Sequence, residues 1–382
     1  MNHHPTALPV VTVKMLRDPD ALRRMCEAGA VHHVDMSGRE PGWILTGHET
    51  AAEVLVDPRL RGDAPQAKGP EKELPDEEDL FFLPGEQHAR LRRMISRQLT
   101  PRRVSGLLPR IQREADTLLD AMPVDEPADF IAAFSRPFPV AVLCELLGVP
   151  EEGRSYVRDY VFGWIAEAGV ATAVTESAGV VMADYFKELI ARRRAAPQAD
   201  LISAIAHEAP NDVLSAVRLL LVAGHRPVTR LLTDGVELLL GRWDELVAGP
   251  SRLDATVEEL LRVITPTTLS SRYVRQDVEI GGVTVPEGGG VHCALAAVNR
   301  DPARFSDPDS FVPDRPVNPH LSFGLGHRHC LGAALARAQA RLAIDTLVDR
   351  FPRMRLATDQ GPAPVRAGTR RLMVVLDSGD PT

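Results

Sequence analysis

The chain has 382 residues, 44% hydrophobic and 25% charged, with a formal net charge of −8; this composition excludes a disordered, collagen-like or coiled-coil protein. The acidic balance argues against nucleic acid as a whole-surface partner, and Cys26, Cys144, Cys293 and Cys330 are too few for a disulfide framework. No run of about 18 apolar residues predicts a membrane span, and the first residues lack the basic-then-apolar pattern of a signal peptide, so a cytoplasmic protein with no membrane partner is expected.

In chain order, a short strand is predicted near Ile44 and a helix over 51–57. The stretch 61–84, crowded with Pro, Gly, Lys and Glu, reads as a loop. Apolar residues at helical spacing predict helices over 101–122, 137–147, 178–194, 212–241 and 254–264. Val278-Glu279-Ile280, Gly281-Gly282 and Val283-Thr284-Val285 alternate around a two-glycine turn and predict a hairpin. A last helix is predicted over 331–351, and a strand over 372–376 that could complete a small sheet with the one near Ile44. Nothing reads as an interdomain linker, so residues 1–382 are expected to form a single, mainly α domain: a large helical lobe with a small β lobe.

The segment Phe323-Gly324-Leu325-Gly326-His327-Arg328-His329-Cys330-Leu331-Gly332 precedes the last helix. Its glycines allow a tight loop close to something flat and bulky. Cys330 falls near a helix N-terminus, where free N–H groups stabilise a thiolate; a thiolate there suits an iron ligand. Gly332 removes a side chain where the helix must approach its ligand. Cys26, Cys144 and Cys293 lack such a context and are read as structural.

This segment resembles the haem-binding loop of the cytochrome P450 superfamily, Phe-Gly-x-Gly-x-His/Arg-x-Cys-x-Gly, and all six fixed positions match. Glu259-Leu260-Leu261-Arg262 resembles the family's Glu-x-x-Arg helix, and Phe311-Val312-Pro313-Asp314-Arg315 the later element that supplies a second arginine. The resemblance, of the soluble bacterial type, covers residues from about 84 onward. It implies the cytochrome P450 fold and a b-type haem (heme b, iron protoporphyrin IX) between the distal helix at Ala223 and the loop at Cys330, the iron ligand. His88, Arg92, Arg272 and His329 stand as donors to the haem propionates, and Phe323, Gly324 and Gly332 as residues that shape the cradle. Glu259, Arg262 and Arg315 are expected to be architectural, since a buried ion network holds structure but does no chemistry.

One departure concerns catalysis. Ala223-Gly224 matches the distal pattern Ala-Gly-x-acid-Thr, but Arg226 and Pro227 stand where the acid and threonine belong. Arginine is always protonated and proline has no hydroxyl or N–H, so the usual proton relay is missing. Three readings follow: a monooxygenase whose relay is replaced by water or a substrate hydroxyl, a peroxygenase using hydrogen peroxide, or an unusual reaction that bypasses ordinary oxygen insertion. The Arg-Pro pair resembles that of the fatty-acid peroxygenase branch, and Arg226 motivates an anionic substrate, a carboxylate foremost. His225 and Thr229 are turned about 160° from position 227 in opposite senses, and a kink or bound water is expected where Pro227 leaves the Ala223 carbonyl without a donor.

The expected activity is oxidation of a small organic molecule in bacterial secondary metabolism; the competing class is a non-oxygenase haem protein, a lyase or sensor. The substrate pocket implied by the family spans 61–83, 222–227 and 265–269. Between Glu86 and Glu114 there is no acidic residue but there are eight arginines, Arg90, Arg92, Arg93, Arg97, Arg102, Arg103, Arg110 and Arg113. This is either a solvated helix face or a patch that steers an acidic partner, and the resemblance implies a ferredoxin, reduced by its ferredoxin reductase.

Overall fold

The computed structural model describes residues 9–12, 14–36, 41–62, 85–166, 173–249, 252–357 and 370–377. The chain forms two compact units: the described residues of 9–62 and 255–330 build the first, those of 85–254 and 331–377 the second.

The first passage carries β1 (Val10–Val11), α1 (Pro19–Ala28), β2 (Val31–Met36), β3 (Gly42–Leu45), α2 (His48–Val56) and β4 (Leu60–Arg61). The start of α1 is written locally: Asp18 accepts from the N–H groups of Asp20 and Ala21 at 3.0 and 3.3 Å, and Pro19 takes the first helical position. The second passage carries α3 (Gly85–Ser96), α4 (Pro101–Asp120), β5 (Pro127–Asp129), a π-helical turn (Ile131–Ser135), α5 (Pro137–Leu147), α6 (Glu151–Ala166), α7 (Ala173–Ala195), α8 (Leu201–Ile205), α9 (Pro210–Leu240) and α10 (Trp243–Ala248).

The third passage carries α11 (Leu253–Ile264), β6 (Ser270–Val274), β7 (Val278–Ile280), β8 (Val283–Val285), β9 (Gly290–Cys293) and α12 (Leu295–Val298). The last carries α13 (Ala333–Arg350), β10 (Arg355–Leu356) and β11 (Met373–Val375).

In the first unit a six-stranded sheet runs β1-β2-β3-β9-β6-β4. Alternation along β3 separates two cores: Ile44 joins Val11, Leu16, Leu22 and Val34 on one face, while Leu45 joins Leu55, Val291 and Cys293 on the other. The predicted hairpin is β7–β8, with Gly281 and Gly282 at φ +55° and +80° as its turn requires.

The second unit is helical. Val104, Leu107, Ile111, Ala115 and Leu119 form the buried stripe of α4, and α5 is apolar nearly all round, as befits a buried helix. The strand near Leu372 does not complete the sheet around Ile44: β11 pairs with β10 and β5 in the second unit. The reason is register, since Met373 to Val375 lie opposite Asp129 to Pro127. Among the described residues no helix is long and apolar enough to cross a membrane.

Candidate functional site

The segment around Cys330 hangs on a buried ion network in the first unit. Arg262 and Glu259, three residues apart on α11, form a two-armed pair at 2.8 Å, both side chains fully buried. Arg262 gives its remaining N–H groups to the carbonyls of Asn299, Pro308 and Ser310 at 2.9, 2.7 and 2.8 Å. Glu259 also accepts from the Val312 N–H at 2.9 Å, Asn318 at 3.0 Å and Arg315 at 3.4 Å. Asn299 carries the network onward: its amide reaches Ser322 Oγ at 2.8 Å and its oxygen takes the Leu321 N–H at 2.7 Å. The entrance of the loop is therefore fixed by α11 and α12.

The loop closes on itself through Cys330 N–H to the Phe323 carbonyl at 2.8 Å and His329 N–H to the Gly326 carbonyl at 3.0 Å. Gly324 and Gly326 have φ +67° and +71°, conformations that favour glycine. A Cβ at 326 would press on the Leu55 carbonyl at 3.2 Å, whereas one at 324 would enter open space. Cys330 is the one exposed cysteine of the four. Burial pushes the other thiols up, Cys26 to about 11 and Cys144 and Cys293 to about 12, so they stay protonated and inert. Residue Gly332 is the N-cap of α13, placing Cys330 just ahead of that helix.

Arg272, on β6, is 4% exposed and donates only to its neighbours, Ser270 Oγ at 3.2 Å and the Ser271 carbonyl at 2.9 Å. Its Nε has no acceptor, and no described carboxylate pairs with it. Burial pulls its guanidinium below its ordinary pKa. A buried cation without an anion is costly, and a ligand carboxylate such as a haem propionate fits what it lacks. His88 is buried and Arg92 half-buried, four residues apart on one face of α3 in the second unit. Phe323 and His329 are half-buried, their rings tilted 51° at 6.1 Å.

The loop pattern's His/Arg position is Arg328, which the choice of His329 as propionate donor passes over. The Arg328 side chain lies directly over Gly62, leaving no room there for another. Counting from Cys330 finds it in the sequence.

On the distal helix, α9 runs unbroken through Pro227. Arg226 is exposed, and its side chain pairs with none of the described residues. Gly224 owes its lack of a side chain to packing: a Cβ would meet Leu143 of α5 at 3.0 Å. His225 is buried, its Nδ1 donating to the Leu221 carbonyl at 2.6 Å, while its Nε2 and the Thr229 hydroxyl have no partner. Burial pulls the His225 pKa down from 6.5 to about 4.

Two segments of the expected substrate pocket differ. Residues 63–83 lie outside the described residues. Thr265 faces the core rather than a pocket: it is fully buried, and its hydroxyl donates to the Arg262 carbonyl and accepts from Asn299. In the arginine run, Arg90 pairs with Glu208 and Asp212, and Arg110 with Glu145. Arg93, Arg97, Arg102 and Arg103 remain exposed, their side chains without a partner among the described residues.

Comparison with known proteins bears on the family. The cytochrome P450 family profile matches residues 251–376. Cytochrome P450 107B1 of Saccharopolyspora erythraea is 36% identical over 338 residues, 82% of this chain and 83% of that protein. Cytochrome P450 monooxygenase PikC of Streptomyces venezuelae is 33% identical over 372 residues, 92% of this chain and 89% of that protein. The solved structure of the mixed-function P450 MycG superposes with a TM-score of 0.86 at 31% identity, covering 97% of this chain and all of that one. With a cysteine loop held by the Glu259–Arg262 network and relatives of this identity over most of its length, the chain belongs to the cytochrome P450 family, as an oxidoreductase of the monooxygenase type.

Proposed function

We propose that the chain is a haem b monooxygenase of bacterial secondary metabolism, folded as one domain and working in the cytoplasm with a ferredoxin and its reductase. Cys330 serves as the thiolate ligand. The observation that carries the reading is Arg272, a buried guanidinium with no described carboxylate beside it. In this role Arg272, His88, Arg92 and His329, with Arg328 added, donate to the propionates. Phe323, Gly324 and Gly332 leave the cradle its space. Bound haem supplies the activation of oxygen and its transfer to a small organic molecule. The exposed Arg93, Arg97, Arg102 and Arg103 give an acidic redox partner a surface.

The distal residues have narrower roles. Ala223 and Gly224 keep side-chain bulk away from their part of α9. Pro227 and Arg226 have no proton to deliver, so that proton comes from ordered water or from the substrate. The exposed guanidinium of Arg226, without a partner among the described residues, can bind a substrate carboxylate. That exposure favours a second reading, a hydrogen-peroxide-dependent peroxygenase in which the substrate carboxylate does the acid–base work.

The test compares product formation, by mass spectrometry, from carboxylic acids and their neutral esters. One arm supplies hydrogen peroxide alone, the other ferredoxin, reductase and NADPH. Turnover in the second arm alone is expected for the monooxygenase; turnover with peroxide, restricted to acids, establishes the peroxygenase instead. No product from any compound in either arm would overturn both.

A further inference from the structure

Two glutamates stand side by side on α11 and do different things. Glu259 belongs to the ion network. Glu258 is turned about 100° from it, and its Oε2 is 3.1 Å from His320 Nε2. The His320 side chain is 3% exposed and that of Glu258 33%.

The tautomer of His320 follows from its neighbours. The Ser322 N–H donates to Nδ1 at 3.3 Å, so Nδ1 is bare and the proton sits on Nε2, donating to Glu258. The backbone around the ring is pinned independently. His48 Nε2 bonds the Pro319 carbonyl at 2.9 Å, Asn299 takes the Leu321 N–H at 2.7 Å, and Ser322 Oγ reaches the Leu261 carbonyl at 2.7 Å. What Glu258 adds is the orientation of the imidazole.

That orientation is passed on. The His320 ring is tilted 50° against Phe323 at 6.1 Å, and the Phe323 carbonyl accepts the Cys330 N–H at 2.8 Å. We propose that Glu258 and His320 form a positioning pair which, through the Phe323 ring, fixes the loop that presents Cys330. The consequence for the haem rests on the reading of Cys330 as the iron ligand: a loosened loop weakens thiolate donation.

The experiment uses the haem-loaded protein with Glu258→Leu, Glu258→Gln and His320→Phe, and reads hydrogen–deuterium exchange of the Cys330 amide, haem midpoint potential and urea midpoint. Glu258→Leu should speed exchange at Cys330 about tenfold and shift the potential. Glu258→Gln, which keeps an oxygen acceptor for the Nε2–H, should restore both, and the urea midpoints of the two should agree. Wild-type exchange and potential in both Glu258→Leu and His320→Phe would overturn the proposal, as would equal loss in Glu258→Gln and Glu258→Leu. A Cys330→Ser protein that kept a thiolate-type spectrum would overturn the ligand reading instead, leaving the Cys330 exchange contrast as the measure of the pair.

Discussion

Glu259 and His225 are both buried titratable residues on helices, one in each unit, and their surroundings are opposites. Glu259 receives donors from two arginines, an asparagine and a backbone N–H, and all five N–H groups of Arg262 are placed. His225 has one bond, to the turn before it, and its other ring nitrogen has none; nearby the Thr229 hydroxyl is unsatisfied, and the Arg226 side chain pairs with none of the described residues. The saturated region tolerates little change, because removing any member strands a charge. The unsaturated region has polar groups that the fold itself does not satisfy, and there this chain's own chemistry must be sought.

The largest expected effect breaks the saturated side. Arg262→Leu leaves the buried Glu259 with Arg315, at 3.4 Å, as its remaining described arginine and should cost about 3–5 kcal/mol in urea unfolding. A cost near that of a surface substitution would dissolve the contrast.

On the other side, His225 protonates near 6.5 when unfolded but only near about 4 in the fold. Its stability contribution is full above pH 6.5 and falls as pH drops, by about 3 kcal/mol at pH 4. Unfolding at several pH values should show that fall, and His225→Leu should flatten it. An unchanged slope would show that other groups dominate acid unfolding.

Substrate binding comes next. Arg226→Ala should weaken carboxylate binding about tenfold, or about 1.4 kcal/mol, and leave neutral esters alone; equal effects on acid and ester would remove the anionic substrate. Smallest is the charged surface: Arg97→Glu with Arg103→Glu should slow reduction by ferredoxin several-fold at low salt without moving the haem spectrum. Unchanged reduction kinetics would leave those arginines as a solvated face.

What the sequence allowed depended on how local each signal was. The hairpin at Gly281-Gly282 and the helix Pro137–Leu147 lie where the pattern places them, because turn chemistry and apolar periodicity are short-range. β3, which carries Ile44, pairs with β9 about 250 residues along the chain, and no periodicity announces such a partner. α6 has Arg, Asp and Glu mixed into its apolar pattern, which hides its helical period. At the site, the Glu259–Arg262 pair is legible from its spacing of three residues, and the loop around Cys330 stands out only by its resemblance to the family pattern. The packing role of Gly224 is not legible, since it depends on Leu143, nor is the core role of Thr265, which depends on Asn299.

The register of β3 has a consequence for synthesis. Trp43 pairs with Val291 across about 250 residues of chain. At about 5–20 residues per second, translation leaves that edge of β3 without its β9 partner for on the order of ten seconds or more. An apolar strand with a bare edge is a template for the wrong neighbour. The nascent N-terminal segment is thus a part of the molecule that a chaperone has to shield until β9 is made.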